Sequence, residues 1–354
     1  MTREANSERI AMMRMRAVVL LAGLCGTGCT IDAPEAPHTS SVDQFGMNMQ
    51  GMNMQGMNMQ GMNMQGMNMQ GMNMQGFELG GVTVAGSHLT NVHVEKGELV
   101  ASRGATTLRG TQLVGAHLIA QATSNDSPPV VAEAEYRITA ITAESAAYDP
   151  TGTGNTYLYT LEQYRADTDS WVPACSPDTD GRSVAIPVAA TFDTHGNRVE
   201  SSTLFTFGCT TGVIAKCYRW GYRPWLTGYG TDMTSMHWTC TRLARADYCG
   251  DGTPHTHDGT WVNVWDTLPP PGPIQRHGLL PPLGMLFEAG WNTGGAVCLS
   301  HARWLLDDGL QNLCPNRLIA PGLLGATVCD TVVDVLGYDP NAKLFNESYL
   351  NLDL

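Results

Sequence analysis

Apolar and polar residues alternate with a period of two along several segments of the chain after Pro128. Successive side chains of a β-strand point to opposite faces, so this alternation is typical of strands with one buried face. Turn-forming residues bound each segment, which favours antiparallel pairing. The strands predicted in this way are residues 131–143, 156–164, 183–192, 204–207, 214–222 and 261–265.

The hydrophobic period becomes helical after Asp232, which can cap a helix that Gly250 brings to an end. Residues 285–291, 302–306 and 323–336 also carry helical patterns, separated by Gly and Pro. We therefore predict an α+β domain over residues 128–354, with antiparallel strands, helices and disulfide bonds. The apolar face of the first helix is formed by Met233, Met236, Cys240, Leu243 and Ala244.

A different period, of five residues, precedes this domain. Gly-Met-Asn-Met-Gln occurs six times from Gly46 to Gln75, and degenerate copies with an apolar third residue continue to Ala120. The pattern resembles the pentapeptide-repeat family, which implies a short four-sided β-solenoid over residues 47–120. Two alternatives stay open for the exact copies: a disordered polar spacer, or a Cu(I) buffer, because paired methionine sulfurs select that ion.

The first residues are typical of an exported protein. Arg14 and Arg16 precede an apolar run of nine residues that ends at Cys25, and Gly-Thr-Gly leads to Cys29. We predict a signal peptide over residues 1–28. The small residues before Cys29 resemble the lipobox of bacterial lipoproteins, which implies a lipid anchor on that cysteine. Residues 29–46 would form a tether, and we expect the protein in the cell envelope, at the outer membrane.

Eight cysteines follow Cys29, and an even number in an exported chain predicts disulfides whose pairing the sequence leaves open. They are Cys175, Cys209, Cys217, Cys240, Cys249, Cys298, Cys314 and Cys329. The formal net charge of −13 disfavours nucleic acid and anionic membrane surfaces as partners. The lipid anchor is therefore the one membrane contact that we expect.

Two blocks of sequence carry a second resemblance. Residues 216–225 read Lys-Cys-Tyr-Arg-Trp-Gly-Tyr-Arg-Pro-Trp, and a later block contains Ala246-Asp247-Tyr248-Cys249. Together they resemble the ADYC-domain family of exported bacterial proteins, over residues 175–304. That family has no assigned function, so the resemblance implies a compartment and no catalytic residue.

Three constellations could carry chemistry. Cys249 with Asp247 and a nearby His237, His255 or His257 has the residue types of a nucleophile and its base, although a disulfide is the commoner role of such a cysteine. His255, His257 and Asp258 could share a metal, or could line a solvated hairpin. Tyr218, Trp220, Tyr222 and Trp225 could form a glycan-binding aromatic surface, or they could be core, which we favour.

The chain contains no Ser-centred elbow, Gly-rich phosphate loop or zinc-protease helix, and we expect neither a cofactor nor a catalytic residue. The sequence therefore predicts a non-enzymatic binding or structural envelope protein with a glycan or protein ligand. The alternatives are an exported hydrolase or metalloenzyme that uses the His255–Asp258 loop, and Cu(I) buffering by the repeats.

Overall fold

The fold is described from a computed structural model, which covers most of the chain after residue 76. The described residues are 57–59, 62–64, 71–73, 77–123, 131–153, 156–193, 195–201, 204–256, 260–278, 283–304 and 329–350. All of them belong to one compact unit, Ser40–Leu354. In this part of the chain, no helix has both the length and the apolar character needed to cross a bilayer.

Strands dominate the described residues. In chain order they are β1 (Met57–Met59), β2 (Met62–Met64), β3 (Gly71–Asn73), β4 (Phe77–Val84), β5 (Ser87–Glu95), β6 (Glu98–Arg103), β7 (Thr106–Arg109), β8 (Ala116–Thr123), β9 (Val131–Ala143), β10 (Tyr157–Arg165), β11 (Ser170–Pro173), β12 (Val184–Val188), β13 (Ala190–Phe192), β14 (Arg198–Glu200), β15 (Thr206–Cys209), β16 (Val262–Asp266), β17 (Leu286–Asn292), β18 (Gly295–Leu299) and β19 (Leu344–Ser348). The helices are α1 (Val213–Arg219), α2 (Met233–Arg245) and α3 (Val332–Tyr338).

These strands form two main sheets. An eleven-stranded sheet has the order β3-β15-β12-β10-β9-β8-β4-β5-β6-β7, with β11 paired to β10. A six-stranded sheet has the order β18-β17-β19-β16-β1-β2, and β13 pairs with β14 separately. Apart from β1 with β16, the pairings are antiparallel, which confirms the antiparallel, β-rich part of the predicted fold.

The sequence located six of these strands, including β15, which overlaps the segment predicted at 204–207. The segments predicted as strands at 131–143, 156–164 and 261–265 correspond to β9, β10 and β16, and the segment 183–192 contains β12 and β13. The helix after Asp232 is also confirmed, because the Asp232 carboxylate accepts hydrogen bonds from the backbone N–H groups of Thr234 (3.0 Å) and Ser235 (3.2 Å). The helix ends before Gly250, at Ala246, which adopts the left-handed conformation.

Two predicted elements were wrong. Residues 214–222, predicted as a strand, contain helix α1, and residues 285–291, predicted as a helix, contain strand β17. All seven residues of α1 are buried, so the alternation of polar and apolar types along it does not mark an exposed face. Strand β17 lies between β18 and β19, its four central residues 288–291 are buried, and Gly290 is in close contact with Val335 of α3.

The two remaining helical predictions are only partly covered by the structure. Residues 302–304 are not helical, and residues 305–306 lie outside the described part of the chain. Of the segment 323–336, residues 323–328 lie outside it, and α3 begins at Val332.

The degenerate repeats form hairpins instead of the expected solenoid. Strands β4, β5, β6 and β7 pair antiparallel in succession, and β8 returns to pair with β4 and with β9. Several third residues of the pentads are nevertheless buried, as a solenoid would also require, namely Val84, Leu89, Leu99, Leu113 and Leu118, whereas Val94 is partly buried. An apolar residue every fifth position is compatible with strands as well as with coils, because each pentad also alternates locally.

Only parts of the exact repeats, β1 to β3, are described, and only as backbone. The solenoid, spacer and copper hypotheses for residues 47–76 therefore stay predictions. The eleven-stranded sheet also continues across the boundary expected between residues 120 and 128, through the pairing of β8 with β9.

Two-residue turns close the first hairpins. Ala85 and Gly86 between β4 and β5, and Lys96 and Gly97 between β5 and β6, have positive φ at both positions, as a type I′ turn requires. The second turn lies against the core, because a Cβ atom at Gly97 would lie 2.6 Å from Cη2 of Trp225. This contact links the hairpin to the segment after α1.

Three disulfides have both cysteines among the described residues, with one pair in each of the three core clusters. Cys175–Cys209 lies in the cluster under the large sheet. Cys217–Cys240 joins α1 to α2 in the largest cluster, and Cys298–Cys329 lies in the cluster between the six-stranded sheet and α3. The prediction of a disulfide-bonded domain is confirmed for these pairs.

Candidate functional site

Residues 246–249, which carry the resemblance noted above, directly follow α2. Ala246 has φ of 52° and ends the helix, so the chain turns back under the last helical turn. Asp247 and Tyr248 are both fully buried as a result. A buried carboxylate and a buried phenol require hydrogen-bonding partners, and their partners define the site.

The Asp247 carboxylate forms a buried ion pair with Arg242, one turn back on α2. The same carboxylate accepts a hydrogen bond from the backbone N–H of Gly252, at 3.1 Å. The Arg242 guanidinium also donates to the carbonyl oxygens of His195 (2.6 Å) and Thr293 (3.1 Å). The ion pair therefore holds together the end of α2, the β13–β14 turn and the β17–β18 turn.

Tyr248 lies in a second buried network. Its hydroxyl donates to Glu288 Oε1 (3.2 Å) and accepts from the backbone N–H of Arg303 (3.0 Å). Glu288 and Arg303 form an ion pair at 2.8 Å with both side chains fully buried. Burial is the main reason that the pKa of Tyr248 lies well above its ordinary value, and the Glu288 charge raises it further. Tyr248 is therefore a neutral hydrogen-bonding group at every physiological pH.

Arg303 also caps α2. Its guanidinium donates to the carbonyl oxygens of Leu243 (2.6 Å) and Ala244 (3.3 Å), which lie in the last turn of the helix. A cation at a helix C-terminus satisfies carbonyl groups that have no partner within the helix and interacts favourably with the helix dipole.

Backbone packing around Tyr248 is close. The backbone N–H of Ala296 donates to the Tyr248 carbonyl at 3.0 Å. This bond connects residues 246–249, which we call the signature, to β18. Gly250 and Gly295 have φ of +68° and +109°, and a Cβ atom at either would collide with backbone of the opposite segment. Glycine is required at both positions by this approach.

Cys249 is disulfide-bonded, which overturns the hypothesis that it is a nucleophile. The bases proposed for it have other partners as well. Asp247 is bonded to Arg242, and His237 is fully buried between Arg198 and the carbonyl of Ile214. A cysteine in a disulfide has no thiolate to attack a substrate.

The histidine loop is described only in part. The His255 ring stacks on Tyr248 with centroids 5.5 Å apart, and its backbone N–H donates to the Arg245 carbonyl at 3.1 Å. His257 and Asp258 lie outside the described residues, so the metal site at this loop stays a prediction. Among the residues that the structure describes, there is no group of three or more His, Cys, Asp or Glu side chains that could hold a metal ion.

The aromatic residues of the first block form core, the role that we favoured for them, and not a ligand surface. Tyr218, Trp220 and Tyr222 are at most 1% exposed, and Trp225 is half-buried against the largest cluster. The Tyr222 hydroxyl donates to Asp266 at 3.0 Å, whose carboxylate also accepts from the backbone N–H of Gln275. These residues fix the loop after β16.

Sequence reasoning missed a polar surface on the eleven-stranded sheet. We call it the outer face, and it lies on the strands β8, β9, β10 and β11. Part of the signal for it was present, because Glu133, Glu135, Arg137 and Thr139 alternate with other residues in the strand predicted at 131–143, and Thr160, Glu162 and Tyr164 do so in the one predicted at 156–164. Its residues are His117, Glu135, Arg137, Glu162, Tyr164 and Trp171.

A second group that sequence reasoning missed is buried. Arg219 forms an ion pair with Glu144 at 2.8 Å, and its guanidinium lies 3.8 Å from the ring centroid of Tyr148. Because Arg219 is on α1 and Glu144 follows β9, this pair attaches the first helix to the large sheet.

The comparisons with known proteins agree with the second resemblance. A family model described as the ADYC domain matches residues 110–305, more than half of the 354 residues. No curated protein matches the chain, and no solved structure does.

Proposed function

Because this chain belongs to the ADYC-domain family, we propose that its signature is a structural centre, and that the protein is a non-enzymatic binding or structural protein of the bacterial envelope. In this proposal the protein is exported and anchored by a lipid on Cys29. The ligand is a glycan or a protein, and neither a cofactor nor a nucleic acid takes part.

One observation carries the proposal: each signature residue either ends a helix or is bonded to another residue of the domain. Ala246 ends α2, Asp247 neutralises Arg242, Tyr248 connects Glu288 to Arg303, and Cys249 is disulfide-bonded. A catalytic acid or nucleophile must be able to reach a substrate. Groups that are buried and bonded inside the domain are suited to rigidity instead.

The disulfides support export. Three pairs and the bonded Cys249 involve seven of the eight cysteines after Cys29. Disulfides persist in the periplasm and at cell surfaces, where the thiol-reducing systems of the cytosol are absent. A domain with one disulfide in each core cluster suits such a compartment.

Anchoring is tested by detergent phase partition of the full chain produced in a bacterial host. The wild type and a Cys25→Ala control should enter the detergent phase, whereas Cys29→Ala should stay in the aqueous phase because a lipid chain is lost. Equal partition of Cys29→Ala and wild type would contradict the anchor.

The non-enzymatic role is tested by thiol alkylation and metal analysis of the same preparation. Alkylation of the unfolded, unreduced protein followed by mass spectrometry should leave Cys249 unmodified. The native protein should keep its unfolding midpoint in EDTA. A reactive Cys249 thiol, or a bound metal that is lost in His255→Ala, would favour the enzyme alternatives.

A further inference from the structure

We propose that the outer face binds an uncharged glycan chain, which rests on the proposed binding function and names its ligand class. The outer face is the exposed side of β8, β9, β10 and β11. Cross-strand pairing places His117 opposite Arg137, Arg137 opposite Glu162, and Tyr164 opposite Trp171. The six side chains therefore form one continuous surface over four neighbouring strands.

The outer-face side chains do not form part of the hydrophobic core. On the same strands, Leu118, Ile138 and Leu161 point to the other side of the sheet and are at most 1% exposed. The outer-face residues keep substantial exposure, with 41% for His117, 38% for Glu135 and 36% for Arg137. Aromatic and charged side chains on a solvated sheet face add nothing to the buried interior, whereas a ligand could use them.

Trp171 is the centre of the surface. It extends from the edge strand β11 so that the Arg137 guanidinium lies 4.3 Å from its ring centroid. The rings of Tyr164 and His117 approach it at centroid distances of 5.4 Å each, tilted by 53° and perpendicular respectively. These three contacts hold the partly buried indole in one orientation, so little side-chain entropy is lost when a ligand stacks on its accessible part.

The charges of the outer face are paired within the face. Glu162 accepts from Arg137 at 2.6 Å, and Glu135 lies 2.7 Å from Nδ1 of His117. A charged ligand would have to compete with these partners. An uncharged ligand with many hydroxyl groups can instead donate to the carboxylates and accept from the guanidinium without breaking the pairs.

A sugar ring matches both features. One side of a pyranose presents C–H groups that pack on an indole or phenol, and its rim carries hydroxyl groups. The aromatic rings and the paired polar groups of the outer face lie side by side, as such a ligand requires. The net charge of −13 also argues against an anionic polymer as the occupant.

The experiment measures binding of the full chain to chitohexaose, a soluble uncharged oligosaccharide, by isothermal titration calorimetry, with cellohexaose as a second probe. We expect binding of at least one probe by the wild type. Trp171→Ala should weaken it by about tenfold or more, as expected when a stacking ring is removed, and Trp171→Phe should keep part of it. Trp261→Ala is the matched control, because Trp261 is 39% exposed and precedes β16 of the other sheet.

Unfolding in urea shows whether each variant is folded before its affinity is compared. Equal affinities of Trp171→Ala and wild type, or equal losses in Trp171→Ala and Trp261→Ala, would overturn the assignment to the outer face. So would the absence of binding to both probes, or a binding constant that falls steeply with added salt. These results do not depend on the disulfide at Cys249 or on the lipid anchor at Cys29. The experiments on those two cysteines therefore test the proposed function separately.

Discussion

At the scale of single residues, the family signature is explained by burial. Asp247 and Tyr248 are fully buried polar groups, and each is bonded to a charged residue from another part of the sequence or from the preceding helical turn. Breaking one partner of a buried pair leaves the other charge without compensation, which costs more than the pair contributes. Substitution of the signature residues should therefore lower the stability of the fold, and should affect ligand binding less.

Asp247→Ala tests this. Arg242 would keep its carbonyl partners but lose its counter-ion, and the free energy of unfolding should fall by about 3–5 kcal/mol. Asp167→Ala, at an exposed position, is the control and should change stability by less than about 0.5 kcal/mol. Urea unfolding followed by circular dichroism measures both. A loss at Asp247 no larger than at Asp167 would contradict the structural role.

His237 gives a second prediction at this scale, in the pH dependence of stability. Burial, and then the Arg198 charge, lower the pKa of His237 well below its ordinary 6.5. The ring is neutral because its Nε2–H donates to Ile214 (3.0 Å) while Nδ1 accepts from Arg198 (3.0 Å). Below about pH 6.5 the unfolded chain takes up a proton that the folded chain does not, so stability falls as the pH is lowered.

The expected contribution of this one residue is a slope of about 1.4 kcal/mol per pH unit below pH 6. His237→Gln should remove that part of the slope, even if the variant is less stable at every pH. His88→Gln, at an exposed position, is the control for the loss of one histidine. Urea titrations at several pH values provide the measurement, and equal slopes in His237→Gln and wild type would refute the assignment.

At the scale of elements, the hairpins from β4 to β6 show how tertiary contacts act on a local turn. Gly86 and Gly97 occupy the same position of two type I′ turns, each with φ of +75°. A Cβ atom at Gly86 would meet nothing within 4 Å, whereas one at Gly97 would collide with Trp225. Alanine at Gly86 would therefore add backbone strain alone, whereas alanine at Gly97 would add the same strain and a steric clash with Trp225.

Replacing each glycine by alanine should show this difference. Gly86→Ala should lose about 1 kcal/mol of stability, the cost of a left-handed non-glycine residue. Gly97→Ala should lose that amount and about 1–3 kcal/mol more, because the Trp225 ring must move. Thermal unfolding of the two variants measures the difference, which should vanish in a Trp225→Ala background.

The elements also show where sequence reasoning succeeds and where it fails. Strands β9, β10 and β16 and helix α2 were predictable because one face of each is polar or because a capping residue marks its start. Helix α1 and strand β17 were not, because every residue of α1 and the four central residues of β17 are buried, and periodicity is lost where consecutive positions are all buried. The outer face was not predictable because its residues come from four strands, and only their pairing brings them together.

At the scale of the whole molecule, each core cluster contains a disulfide, and the bonded Cys249 packs against the largest cluster as well. Cys175–Cys209 and Cys217–Cys240 close chain segments of 34 and 23 residues, in two different clusters. A cross-link of this span reduces the entropy of the unfolded chain, in the loop-closure description, by an amount worth about 3–4 kcal/mol. The two bonds should therefore stabilise the protein to a similar extent.

The double substitution Cys217→Ala with Cys240→Ala should thus lower the free energy of unfolding by about 3 kcal/mol or more. The matched double variant at Cys175 and Cys209 should lose a similar amount. Urea unfolding of the oxidised proteins measures both, and an unchanged midpoint in either variant would show that its bond does not contribute.

The pairing of β8 with β4 has a consequence for any shortened form of this chain. The family match begins at residue 110, after β4, although β4 covers one edge of β8. A form that starts at residue 110 would leave the N–H and C=O groups of that edge without a strand beside them. Such an edge recruits strands from other molecules, so truncation there should favour self-association, and a strand supplied in trans as a synthetic peptide should suppress it.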